Sequence, residues 1–529
     1  MNLNVYRCDG ALLAVDCGIG FGGSEAPEAE IIVPDPGWLA ERRDRLVGLV
    51  ITHAHEDHLG AVAALWPLLR CPVYASPFAS AVLRRKLGEA GLLHEVSLHT
   101  YGLGGRLNLP PFDLQFLRVS HSVPESQAMA IRTRHGLVLH TGDWKLDPEP
   151  LIGPPTDEAG FAALAEEGVL AMVCDSTNAL VEGHSGSEAD VRRALTSLIG
   201  SLSGRVAVTC FATNIARVES VVRAAQAAGR RVALFGRSLR NADVAAREAG
   251  YFQDVPPFVD EEEAGYLPDD ELLIICTGSQ GEPRSALAKI AADTHPNISL
   301  GEGDTVIFSS RMIPGNERAI MSVEAQLMRA GCRVITADEE HPVHVSGHPA
   351  RDELRRLYEL VKPQHAVPVH GEWRHLQEHA ALAREWGSTP HIIEDGDVLR
   401  LAPGPIEVAE TVQSGRLALD GSRLLPLEGG VLGARRRMLF NGVVVGSLAV
   451  DEGGRVRGTP QVSAPGLFEQ DDEATQQIAG DLARLVNDLP GPLRRDDASL
   501  REAARTALRK AIGRRVRKRP LVELHLLRV

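Results

Sequence analysis

Four candidate metal ligands fall within six residues of Thr52-His53-Ala54-His55-Glu56-Asp57-His58-Leu59-Gly60, namely His53, His55, Asp57 and His58. Imidazole and carboxylate together suit zinc at neutral pH. The loop follows an apolar run, Leu46 to Thr52, and ends on Gly60, so a core is expected to hold it in place. Such a turn can aim His53 and His55 at one ion while Asp57 and His58 face a second. Three more ligand-type residues stand just past the ends of apolar strands, where α/β sheets put their sites. They are His121 after Arg118-Val119-Ser120, Asp143 after Leu137 to Gly142, and His370 after Ala366 to Val369. Singly, each reads as an ordinary polar strand end; with the first cluster they complete a dinuclear site. Two ions about 3.5–4 Å apart can activate a water and stabilise the charge that develops on a phosphate under attack. Asp143, with two oxygens to share, is the expected bridge. Asp57 can bind through one oxygen and steer the nucleophile with the other. His375 and His379 end no strand; they, His135 and His184 are expected to be structural or surface groups.

The elements that must position these groups change texture along the chain. Up to about residue 150 the pattern is of short strands: Leu12 to Asp16, Leu46 to Thr52, Leu114 to Val119 and Leu137 to Leu139, with a helix over Ala61 to Leu69. From Ser187, where Ser187 and Asp190 fit a capping box, strands alternate with helices. Arg205 to Thr209, Arg231 to Phe235, Leu272 to Cys276 and Thr305 to Phe308 are the strands, and Ile215 to Ala227 and Asn241 to Gly250 the helices. That alternation predicts an α/β layer with mainly parallel strands. The helix Arg351 to Val361 and the strand Ala366 to Val369 resume the first texture. Pro403-Gly404-Pro405 turns into further strands through about 449, and Asp451-Glu452-Gly453-Gly454 reads as a linker to a small α+β tail with helices around 472–488 and 498–513. The expected division is 1–186 and 349–449 for one domain, 187–348 inserted within it, and 450–529 appended.

Composition sets limits. A chain of 529 residues, 44% hydrophobic and 24% charged, has the balance of a folded multidomain protein. Nothing approaches about 18 consecutive apolar residues, so no membrane span is expected, and the N-terminus lacks an export signal. Seven scattered cysteines without a CxxC pair are expected to be buried, reduced thiols of a cytoplasmic protein. A net charge of −14 argues against indiscriminate coating of nucleic acid. It allows a nuclease whose substrate channel is locally basic and whose metals add positive charge.

The His-x-His-x-Asp-His loop with downstream His, Asp and His resembles the metallo-β-lactamase superfamily. Further segments narrow the resemblance to ribonuclease J of the β-CASP group: Asp175-Ser176-Thr177-Asn178, Phe211-Ala212-Thr213-Asn214-Ile215, Gly236-Arg237-Ser238, Thr277-Gly278-Ser279-Gln280-Gly281-Glu282-Pro283, Ile313-Pro314-Gly315-Asn316-Glu317, His344-Val345-Ser346-Gly347-His348 and Pro368-Val369-His370-Gly371-Glu372. They run in order across nearly the whole chain. The resemblance implies an αββα metallo-β-lactamase sandwich with an inserted β-CASP α/β domain and a small C-terminal α+β domain. It implies two zinc ions, with manganese or magnesium as alternatives, on His53, His55, Asp57, His58, His121, Asp143 and His370. Asp175, His348 and His370 match the β-CASP motifs, and His348 is placed beside the scissile phosphate as general acid or transition-state stabiliser. The segment His344, Val345, Ser346, Gly347 and His348, with Thr213, Asn214 and Ile215, is implied to hold the RNA backbone and its 5′ phosphate. Backbone amides in such turns suit anions.

The activity implied is 5′→3′ exonuclease, with endonuclease activity beside it, on single-stranded RNA carrying a 5′ monophosphate, in RNA maturation and decay. Single strands would thread between the two layers, gripped by their backbone in a sequence-tolerant way. Competing readings are a DNA-processing nuclease, a small-molecule hydrolase on the same metal core and a catalytically silent RNA-binding subunit. Eleven Lys/Arg between Arg494 and Arg519 stand against three acids, Asp496, Asp497 and Glu502. RNA contact competes there with assembly into a dimer or tetramer, which the resemblance implies for the tail. Family members usually carry an opening strand and a Gly-rich loop ahead of the segment matching Met1 to Val5. Either a start downstream of the true one or a shortened chain is expected here, with a sheet edge left exposed.

Overall fold

The computed structural model describes residues 1–23, 26–313, 315–469 and 472–529. Pro314, in one of the motifs above, lies outside the described residues. Two compact units emerge, Met1–Gly20 with Val33–Arg416, and Phe21–Ile32 with Leu417–Val529.

The first unit is built on two sheets. One runs in the order Asn4–Cys8, Ala11–Val15, Leu46–Val50, Val73–Ala75, Leu98–Thr100, antiparallel in its first pair and parallel thereafter. Asn4–Cys8 forms its edge. The other runs Thr389–Pro390, His365–Val369, Val169–Asp175, Gly136–His140, Gln127–Thr133, Phe112–Arg118, Arg106–Leu109. Its first three neighbouring pairs are parallel and the others antiparallel. Alternating side chains send Leu13, Val15 and Val50 from the first sheet against Leu114, Phe116, Met129 and Ile131 of the second. The opposite face of the second sheet buries Leu117, Leu139 and Met172 beneath Phe161 and Leu164 of the helix Glu158–Glu167 and Leu354, Leu357 and Tyr358 of Arg351–Val361. At about 25 cal/mol per Å² of apolar area, each such buried side chain contributes roughly 1.5–3 kcal/mol. Two sheets with helices outside give the expected sandwich.

Within this unit a separate parallel sheet runs Arg231–Phe235, Leu272–Cys276, Val206–Thr209, Thr305–Phe308, Arg333–Thr336. Every residue of Leu272–Cys276 is buried, as a parallel sheet covered on both faces requires. The helix Glu188–Gly200 that opens this module is capped by Ser187, whose hydroxyl accepts from Ala189 N–H and donates to Asp147. The expected capping box is therefore corrected: Asp190 turns outward to Arg193.

In the second unit Val443–Val450 pairs in parallel with Leu521–Arg528 and antiparallel with Gln461–Ser463. Glu473–Asp488 and Asp497–Val516 cover this sheet with Ile478, Leu482, Leu500, Ala504 and Leu508. This corrects the reading of the tail. Val443–Val450 belongs to the tail's own sheet, and Asp451 to Gly454 is a turn, with Asp451 N–H bonded to Arg455 O and Gly454 N–H to Asp451 O. A Gly-Gly pair cannot reveal whether it links domains or reverses one strand.

All seven cysteines are buried and unpaired, as expected. Among the described residues no helix is long and apolar enough to cross a membrane.

Candidate metal centre

Parallel pairing brings distant residues to one edge of the second sheet. His140 pairs with Val173, and Asp175 with Val369. The end of one strand and the chain just beyond the other two therefore deliver Asp175, Asp143 and His370 side by side. His370 takes a left-handed conformation, φ 56°, an unusual cost of order 1–3 kcal/mol for a residue with a Cβ, of the kind kept at functional turns.

The His53–His58 loop is fastened from behind by two earlier segments. Asn2 N–H bonds to Asp57 O at 2.8 Å, Cys17 N–H to His58 O at 2.6 Å, and Ile19 N–H to Glu56 O at 2.9 Å. The backbones come so close that a Cβ on Gly18 would lie 1.6 Å from the Asp57 carbonyl oxygen, so only glycine fits.

Two sets of donors result, sharing Asp143: His53, His55 and His121 on one side, and Asp57, His58 and His370 on the other, with donor atoms in each set within 4.8 Å of one another. His55 Nδ1 lies 3.1 Å from His53 Nε2 and 3.0 Å from His121 Nε2. Ligands about 2.0–2.1 Å from a tetrahedral zinc stand roughly 3.3 Å apart, close to this spacing. Asp143 Oδ2 is 3.8 Å from His53 and His121, 3.2 Å from His58 and 3.7 Å from His370, measured to Nε2. Asp57 Oδ2 is 3.2 Å from His370 Nε2.

In His53, His58, His121 and His370 the other ring nitrogen is committed elsewhere, which orients these imidazoles toward the centre. His53 Nδ1 faces Thr52 Oγ1 at 3.0 Å, and that hydroxyl donates to Asp16. His58 Nδ1 meets Asp16 Oδ2 at 2.7 Å, His121 Nδ1 meets Gly347 O at 2.6 Å, and His370 Nδ1 meets Thr177 Oγ1 at 2.8 Å. Converging nitrogens, a shared carboxylate and fixed outer partners fit divalent cation binding.

Electrostatics divides the two sets. Burial pushes His55 down to about 4 and His53 and His121 well below the usual histidine range, so these imidazoles are neutral with lone pairs free. On the other side burial opposes charge on His58 and His370, but Asp143 and its fellow carboxylates outweigh it and raise both. Burial likewise pushes the Asp143 carboxyl up, and the charges of His370, His58 and His348 hold it well below the usual range.

His348 stands beside this centre. Its Nδ1 meets Asp175 Oδ2 at 2.7 Å, while the other Asp175 oxygen accepts from Thr177 N–H and Oγ1. Asn178 donates to Ser346 Oγ and to His348 O, and accepts from Arg311. Gly347 is pressed against His121, where a Cβ would sit 2.8 Å from the ring. His344 lies in cationic surroundings: burial first, then Arg217, Arg311 and Lys145, push its imidazole far down. Arg217 is fully buried, paired with Glu188 and donating to Ser309 O and Val343 O. Of the other segment expected to meet substrate, Thr213 is half-buried, whereas Asn214 is buried and caps the helix Ile215–Ala227 by accepting from Arg217 N–H. The Ile215 side chain is buried too, which leaves the backbone for any contact there.

None of the histidines set aside joins the centre. His379 is buried between Ser176 Oγ and Tyr358 OH, and His375 accepts from Glu372 N–H. His184 is exposed near Asp352. His135 lies with Cys8 and Asp9, where Arg134 engages both its ring and Asp9. Asp16, Asn2, Thr177 and Asn178 were not singled out from sequence as part of the site. Asp16 carried the same signature as Asp143, an acid ending an apolar strand; Asn2 had none.

Family models match four stretches: a beta-lactamase superfamily domain over 13–159, the ribonuclease J beta-CASP domain over 203–327, a Zn-dependent metallo-hydrolase RNA specificity domain over 338–393, and the ribonuclease J C-terminal domain over 430–529. The chain is 46% identical over 522 residues to ribonuclease J of Sinorhizobium meliloti, covering 98% of this chain and 92% of that protein. It is 39% identical to ribonuclease J of Mycolicibacterium smegmatis, covering 98% and 94%, and 35% identical to ribonuclease J 1 of Streptococcus pyogenes, covering 97% and 92%. A crystal structure of a protein of unknown function from Enterococcus faecalis shares the fold, with a TM-score of 0.50 at 15% identity over 74% of this chain and 94% of that one.

Proposed function

This chain belongs to the ribonuclease J family of metal-dependent ribonucleases, and from that premise we propose that it degrades single-stranded RNA 5′→3′ from a 5′-monophosphorylated end. One zinc ion is assigned to His53, His55 and His121 and a second to Asp57, His58 and His370, with Asp143 shared, and manganese or magnesium are the alternatives. The observation that carries this reading is Asp143 Oδ2, ringed by four imidazole nitrogens from three segments of the chain at 3.2–3.8 Å. When bound, the ions supply Lewis acidity, lowering the pKa of a water and offsetting charge at the phosphate.

The chain's own residues do the rest. Asp57, with its side chain 40% exposed, has a carboxylate oxygen free to orient the attacking water. Asp175 holds His348 by Nδ1, leaving Nε2 to carry a proton to the departing 3′ oxygen, so that products keep 5′ phosphates. The Ser346-Gly347 turn, pinned by Asn178, receives the 5′ phosphate, with Arg311, which donates to Asn178, supplying positive potential. Internal cleavage follows where a strand enters without using that pocket. Exposed Leu439, Phe440 and Val529 and the basic helix Asp497–Val516 support self-association through the second unit. Seven free thiols suit the reducing cytoplasm.

Matched RNAs with 5′ monophosphate or triphosphate ends, and DNA of the same sequence, test the reading when products are resolved by length. Mononucleotides released fastest from monophosphorylated RNA are expected. Equal rates on all three, or preference for DNA, would overturn it.

A further inference from the structure

Asn2 lies outside every motif that marks the centre, yet its side chain reaches it. Its amide Nδ2 stands 3.0 Å from His58 Nε2, 3.4 Å from Asp57 Oδ2 and 3.1 Å from Asp57 O. His58 Nε2 is the atom that points inward, because Nδ1 is taken by Asp16. The Asn2 backbone is locked in the same place, donating to Asp57 O and accepting from Gly18 N–H. The carboxamide is thus held at the rim of the Asp57, His58 and His370 set and touches no member of the His53, His55 and His121 set by any hydrogen bond described.

We propose that Asn2 is a positioning residue for the carboxylate-bearing half of the centre. Its N–H groups fix the Asp57 carboxylate and main chain in the orientation that presents one carboxylate oxygen to the second ion, an assignment that rests on the dinuclear reading above. Asp57 is the ligand most in need of such a restraint. Its side chain is 40% exposed, against 2% for His58 and 3% for Asp143, so packing alone does not hold it. A hydrogen bond to a charged group contributes enough to change an equilibrium about tenfold or more when removed.

The test is calorimetric titration of metal-free full-length protein with zinc and with manganese, comparing wild type, Asn2→Ala and Asn2→Leu. Both substitutions keep the two backbone bonds, and Leu keeps the volume, so thermal midpoints should stay near wild type. The second binding event should weaken about tenfold in both variants, with the first unchanged within about twofold. An unchanged second event in Ala and Leu overturns the proposal, and wild-type behaviour in Leu alone assigns Asn2 to packing and overturns it equally. A His55→Ala control separates the underlying reading. If wild type and His55→Ala bind metal alike, the dinuclear assignment fails, whatever Asn2 does.

Discussion

The two halves of the centre are built on opposite terms. The His53, His55 and His121 half is made of imidazoles alone apart from the shared Asp143, with the His53 and His121 side chains wholly out of solvent. The Asp57, His58 and His370 half is open, with Asp57 40% and His370 18% exposed. Burial keeps protons off the first set, so its lone pairs are ready for a cation at neutral pH. In the second, carboxylates draw protons onto His58 and His370, and a cation must displace them. A closed half can anchor, and an open half can meet substrate. The lesson is that one shared carboxylate can border two donor sets that differ in exposure rather than in the number of their donors.

The comparison breaks most completely at His55. His55→Ala removes the nitrogen that stands 3.0–3.1 Å from both of its partners. Cleavage should fall below detection and zinc content drop, measured by product analysis and by metal-to-protein ratio; full activity would remove the site. His348→Ala removes no donor from either half. Metal content should stay at the wild-type value while turnover falls about 10²–10⁴-fold, the usual worth of a positioned general acid. An unchanged rate takes His348 out of the mechanism. Asp16→Asn is the mildest and most discriminating. Asp16 meets His58 directly at 2.7 Å but reaches His53 only through Thr52. Loss of such an outer partner lowers metal affinity about 10–100-fold, and the open half should lose more than the closed one. Equal losses in a two-step metal titration would mean that the halves are not separable.

Much of the arrangement could be read from the chain alone. Strand ends bearing His53, His121, Asp143 and His370 were legible because an apolar run followed by a metal-binding side chain is a local pattern. The parallel insert was legible for a similar reason, since a strand such as Leu272–Cys276 covered on both faces must be apolar throughout. The place of Val443–Val450 was not legible, because its partner Leu521–Arg528 lies about seventy residues away and nothing local names it. Nor were the buried links from Lys145 to Asp147 and from Glu188 to Arg217. Charged residues look solvent-bound in sequence, and only packing reveals that their charges are paired.

The order and chemistry of the donors were written in the sequence, as were the strands that carry them, since residue type and hydrophobic period are local properties. Tertiary structure alone decided how those donors divide into a closed and an open set. It also decided that Asp16 and Asn2 stand behind them, and that Gly18 and Gly347 must lack a side chain. The reason is that burial and close approach depend on which segments meet across the fold, and a linear chain does not record its neighbours in space.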